Sequence, residues 1–138
     1  MSENNPYMQY RQNAVSTASP AQMGELLYTG AVKFLKQAES AMEQNNIQEA
    51  HNSIIKAQEI FEYLAETLNE KVEIALNLAL LYDFAYRQLI EANVHKDINI
   101  LREVLKITEE LRDAWKEARE SLSETALPRP DANTNKLV

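Results

Sequence analysis

The chain contains no cysteine, only 2 glycines and only 4 prolines. The missing thiols exclude a disulfide framework, a thiolate nucleophile and a cysteine metal site, and they fit a reducing compartment. So few backbone breakers favour long, uninterrupted helices over turn-rich sheet architectures. No Gly-rich phosphate loop or Gly-x-Ser-x-Gly elbow occurs. Basic charge is also scarce: 14 Lys and Arg against 21 Asp and Glu give a formal net charge of −7. That balance, with no Lys/Arg-rich run, disfavours nucleic acid and anionic lipid as partners. The longest apolar stretch, near Val72 to Tyr86, is interrupted by Glu73, Asn77 and Asp83 and is too short to span a bilayer. The N-terminus, Met-Ser-Glu-Asn-Asn-Pro-Tyr, lacks the basic and apolar regions of a signal peptide, so a soluble cytoplasmic protein is expected.

At 138 residues the chain has the size of one domain able to bury its own core. Residues 1–18 are polar and aperiodic, with Tyr7 and Tyr10 as their aromatics, and read as an arm. Ser19-Pro20-Ala21-Gln22 then offers an N-cap, a first-turn proline and a capping-box glutamine. The first helix follows on Met23, Leu26, Leu27, Phe34, Ala38 and Met42, until Gln44-Asn45-Asn46 breaks the pattern.

Asn46 with Glu49 predicts the next capping box. The second helix carries the cleanest seam: Ile47, Ala50, Ile54, Ala57, Phe61, Leu64 and Leu68. Asn69 is expected to cap the third helix, with Glu70 and Glu73 in its first turn and its end near Asn93. Val94-His95-Lys96 is expected as a turn, and Asp97 as the cap of a fourth helix with the seam Leu101, Val104, Thr108, Leu111, Trp115, Ala118 and Leu122. Short connections between four such helices predict an all-α, antiparallel up-down-up-down four-helix bundle over residues 19–122. Residues 123–138, with Pro128 and Pro130 and no period, are expected to form a disordered tail.

The third helix is too apolar for this place. Ala75, Ala79, Tyr82, Tyr86 and Leu89 form one row, and Ile74, Leu78, Leu81 and Ala85 the row beside it. Together they span roughly 160°, already generous for a helix touching two neighbours. Leu76, Leu80 and Phe84 form a further row among Glu73, Asn77, Asp83 and Arg87. Three readings stand for that row: a more central helix, a homodimer contact, or a groove for another protein.

Catalytic and ligand chemistry finds little support. Neither His51 nor His95 follows a glutamate by three residues, which excludes the di-iron bundle pattern. His51-Asn52-Ser53-Ile54-Ile55-Lys56 places the lysine on another face from the histidine, against a phosphotransfer site. The acidic pairs Glu109-Glu110 and Glu117-Glu120 fit a solvated helix face. No cofactor, metal or enzymatic role is expected. Tyr28, Tyr82, Tyr86 and Trp115 read either as core residues with solvated tips or as binding anchors.

Five segments in order resemble the FliS-type flagellar export chaperones: Asn5-Pro6-Tyr7 with Tyr10, Leu27-Tyr28-Thr29-Gly30, Leu81-Tyr82-Asp83-Phe84, Leu89-Ile90-Glu91-Ala92-Asn93 and Leu111-Arg112-Asp113-Ala114-Trp115. The resemblance implies a cytoplasmic chaperone that receives the disordered C-terminal segment of flagellin, prevents premature polymerisation and assists export, with a component of the export gate as a further partner. It places the N-terminal arm beside the binding surface. The expected binding or arm-groove residues are therefore Tyr7, Tyr10, Leu76, Leu80, Tyr82, Phe84, Tyr86 and Asn93. Gly24 stands where the family usually has an apolar residue. The competing reading is a structural homo-oligomeric bundle, with Leu76, Leu80 and Phe84 covered by a second copy.

Overall fold

The computed structural model describes residues 20–69 and 71–124. Its helices are α1 (Pro20–Glu43), α2 (Ile47–Glu66), α3 (Ala75–His95) and α4 (Ile98–Glu124). The expected arm at 1–18, the Ser19 cap and most of the expected tail at 123–138 lie outside the described residues.

The connection between α1 and α2 is only Gln44-Asn45-Asn46, and each of its backbone N–H groups is hydrogen-bonded. Asn45 adopts φ 59°, the Asn46 N–H donates to the Ala41 carbonyl at 2.7 Å, and the Asn45 N–H donates to Met42 at 3.1 Å. This is a Schellman closure with asparagine in the left-handed position. Asn46 then caps α2, its Oδ1 accepting from the Glu49 N–H at 3.3 Å. Because the Asn46 N–H is already given to Ala41, Glu49 cannot complete the expected box, and its carboxylate accepts from Ser53 instead.

The expected cap at Asn69 is displaced. Its Oδ1 accepts from the Lys71 N–H at 3.1 Å, and turn bonds from Val72 to Asn69 and from Ala75 to Val72 follow. A side chain satisfied two residues on makes an Asx turn, which competes with helix nucleation. Helix α3 consequently starts at Ala75, and Glu73 lies exposed in the connection rather than in a first turn. At its other end α3 passes the expected stop at Asn93 and continues to His95, with Lys96 left-handed at φ 48°. Val94 and His95 are thus helical. Asp97 caps α4 as its sequence implies, accepting from the Asn99 and Ile100 N–H groups at 2.9 and 3.3 Å.

Each helix packs against its two neighbours in the ring α1, α2, α3, α4, with α4 closing on α1. This is the antiparallel up-down-up-down bundle that the short connections require. The core is built from Leu27, Leu35, Ile54, Ile60, Phe61, Leu89, Leu101 and Val104, among others, each almost wholly buried. The α2 seam holds from Ala50 to Leu64. Its first member, Ile47, is exposed because it opens the helix, and Leu68 lies beyond the helix end, packed on the core edge. Ile74 is likewise exposed, since α3 begins after it, and Ala118 is exposed on the long distal part of α4. Beyond its periodic row, α1 also buries Tyr28, Ala31, Val32 and Leu35, as a helix flanked on two sides must.

Candidate partner-binding surface

Among the described helices α3 touches only α2 and α4, and the side chains between those two contact lines are exposed. Leu76, Leu80 and Phe84 occupy that outward face, with 70%, 62% and 43% of their surfaces exposed. The reading of α3 as a more central helix therefore falls. The later end of α3 lengthens the face: Ile90 and Val94 are exposed at 42% and 70%. Leaving a large aliphatic or aromatic side chain in water rather than burying it forfeits about 1.5–3 kcal/mol. Five of them exposed on one helix face are a concentration of apolar surface of the kind that marks interfaces.

Polar groups divide this face. Arg87 pairs with Asp83 at 2.6 Å and His95 with Glu91 at 3.5 Å, each one turn apart along α3. Exposed pairs of this kind contribute little stability. The Asp83–Arg87 pair interrupts the apolar row between Leu80 and Ile90, and the Glu91–His95 pair borders it beside Val94.

The remaining expected residues of α3 lie elsewhere. Tyr82 is buried, its ring against Phe61, and its hydroxyl is hydrogen-bonded to that of Tyr28 across the bundle diagonal. Burial, reinforced by the Tyr82 hydroxyl, holds Tyr28 well above the ordinary phenol range, and burial also raises Tyr82. Tyr86 is half-buried on the α2 side, its carbonyl accepting from Gln58 Nε2 at 3.4 Å. Asn93 is half-buried there too. Its Nδ2 donates to His51 Nδ1 at 2.9 Å, while its Oδ1 accepts from Lys96 Nζ at 2.7 Å. His51 thus has a structural partner on α3. Leu76, Leu80 and Phe84 form one surface, whereas Tyr86 and Asn93 border the α2/α3 line and Tyr82 belongs to the core. Tyr7 and Tyr10 fall outside the described residues.

A cavity of about 280 Å³ sits at the end of the bundle where α1 and α3 begin and α2 ends. Its walls include Met23, Gly24, Leu64, Leu68, Tyr82 and Trp115. A Cβ on Gly24 would lie 2.7 Å from the Trp115 indole, so the absent side chain is what admits the ring against α1. Trp115 also meets Tyr28 edge-on, with centroids 6.0 Å apart. A helix-interior glycine in a glycine-poor sequence was the one visible signal of this contact. Its partner lies 91 positions away, beyond the reach of any local pattern.

The described residues thus form an antiparallel helical bundle with an uncovered apolar face on its third helix. The fold matches a solved structure described as a flagellar chaperone from bacteria, with a TM-score of 0.70 at 21% identity over 84% of this chain and 99% of that one. Residues 3–122 match the family model described as flagellar protein FliS. The flagellar secretion chaperone FliS of Bacillus subtilis (strain 168) is 39% identical over 121 residues, 88% of this chain and 91% of that protein. The corresponding chaperone of Escherichia coli (strain K12) is 36% identical over 110 residues, 78% of this chain and 81% of the other. The chain belongs to the FliS family of flagellar secretion chaperones. This is a chaperone family rather than an enzyme family. No helix among the described residues is long and apolar enough to cross a membrane.

Proposed function

We propose that the chain is a cytoplasmic export chaperone that binds the disordered C-terminal segment of flagellin along the outward face of α3, prevents its premature polymerisation and assists its export. The carrying observation is the row Leu76, Leu80 and Phe84, continued by Ile90 and Val94, which no part of the described chain covers. Helix-in-groove recognition needs such a surface and little chemistry. A disordered segment loses chain entropy on ordering, so its affinity must come from a long contact rather than one deep pocket. The arm at residues 1–18, with Tyr7 and Tyr10, borders this surface in the proposal, and a component of the export gate is a second partner.

Calorimetry of the full chain against its flagellin, with and without the flagellin C-terminal segment, tests the reading. One-to-one binding that disappears with the segment supports it. Binding retained without the segment refutes the site, and a stable homodimer indifferent to the segment favours a structural oligomer. Deleting residues 1–18 strengthens binding if the arm covers the face and weakens it if Tyr7 and Tyr10 touch flagellin.

A further inference from the structure

The cavity at the end of the bundle follows from where the helices start. The Asx turn at Asn69 delays α3 until Ala75, so α2 and α3 are joined there by a connection whose Asn69, Val72 and Ile74 line the cavity. On α1, Gly24 contributes no side chain to the wall, and the Trp115 indole lies against it. Buried Leu27, Tyr28, Leu64, Ala75 and Tyr82 form the inner walls, and exposed Thr67, Asn69, Val72 and Ile74 mark the mouth. An unfilled space of this kind forfeits the dispersion contacts that its lining would make with an occupant.

The lining sets the chemistry of that occupant. None of the lining residues is Asp, Glu, Lys, Arg or His, so a charged group entering would lose hydration without gaining a counter-charge. The polar side chains are already engaged. Tyr28 and Tyr82 hydrogen-bond each other, Thr67 Oγ1 donates to the Tyr63 carbonyl at 2.9 Å, and Asn69 Oδ1 accepts from the Lys71 N–H. Among the described residues no buried side-chain nitrogen or oxygen lacks a hydrogen-bond partner. Ordered water needs about two to four polar partners, which the inner walls do not supply. A peptide backbone would likewise bring N–H and C=O groups to walls that cannot pair with them. The walls offer apolar contact instead, from the rings of Tyr28, Tyr82 and Trp115 and from the Met23 thioether, a group that packs well on aromatic edges.

Size narrows the choice further. An apolar cavity of about 150 Å³ accepts benzene. This one, at about 280 Å³, is nearly twice as large. We infer that the cavity is a binding site for an uncharged fused-ring aromatic molecule of indole or naphthalene size, seated among Met23, Leu64, Leu78, Tyr82 and Trp115. Leu76, Leu80 and Phe84 are not among its lining residues, so the site is separate from the outward face of α3 and does not depend on the proposed function.

The test is a methyl NMR titration of the full chain with indole, a neutral fused-ring probe, and with indole-3-carboxylate, its anionic counterpart. Indole is expected to give saturable shifts at the methyls of Met23, Leu27, Leu64 and Leu78 and none at Leu76 or Leu80. The carboxylate is expected to bind about tenfold or more weakly, since its charge finds no partner. Ala75→Leu fills part of the cavity from its inner wall and is expected to weaken indole binding about tenfold or more, with helical content and melting retained. Should that variant not fold, Leu78→Phe, at a half-buried lining position, carries the same expectation. Absence of a saturable shift in the parent chain would overturn the inference, as would equal affinity for the carboxylate, shifts spread over Leu76 and Leu80, or parent-like binding in a folded filled variant. Shifts that arise only after deletion of residues 1–18 would overturn it too, assigning the cavity to the chain's own arm.

Discussion

The seam between α1 and α4 and the outward face of α3 lie on the same bundle and solve opposite problems. The first is closed from within: apolar residues fill it, and Arg102, Arg119 and Lys36 tie its edges to Glu39, Glu43, Glu25 and Glu109. The second is left open by the described helices, with Leu76, Leu80 and Phe84 in water. A bundle needs the first arrangement to fold. The second contributes nothing to the packing of the four described helices.

Two phenylalanines make the contrast measurable. Phe61 is 1% exposed in the core, and Phe61→Ala should lose about 3–5 kcal/mol of unfolding free energy in a denaturant titration. Phe84→Ala, on the open face, should change it by less than about 1 kcal/mol. Equal losses would show that the face is part of the core.

Gly24→Ala comes next in size. A methyl 2.7 Å from the indole forces Trp115 or α1 to move, at a cost of about 1–3 kcal/mol, partly offset by about 1 kcal/mol of helix propensity. Because the chain has one tryptophan, its emission reports the displacement directly. An unchanged spectrum would mean that the ring does not rest against α1.

The smallest effect is on pH dependence. Tyr28 and Tyr82 have folded values raised above the 10.0 of an unfolded tyrosine, so the folded state holds protons that the unfolded state releases. Their contribution is complete below pH 10 and is lost as pH rises through the folded values. Stability should be level to about pH 9 and fall above 10, and Tyr28→Phe/Tyr82→Phe should flatten that fall. An identical alkaline limb in the double variant would assign it to other groups.

The α2 seam and the caps at Asn46 and Asp97 were legible because each depends on residues a few positions apart. The outward row of α3 was legible for the same reason, since periodicity alone separates Leu76, Leu80 and Phe84 from the rows that α2 and α4 cover. Asn69 misled because one side chain can cap a helix or close an Asx turn, and the local sequence supports both. That ambiguity shifted the start of α3. The late stop at His95 hid Val94 from the face. The bond between Tyr28 and Tyr82, the Gly24–Trp115 contact and the cavity they border join distant segments, which no local pattern encodes.

The central claim is that the outward face of α3 is spare for folding and required for binding. Titration of Leu80→Glu and Phe84→Glu with the flagellin C-terminal segment, alongside circular dichroism of each variant, addresses both halves in one experiment. The account predicts unchanged helical spectra and melting with affinity reduced on the order of tenfold or more. Folded variants that bind as tightly as the parent chain would contradict it.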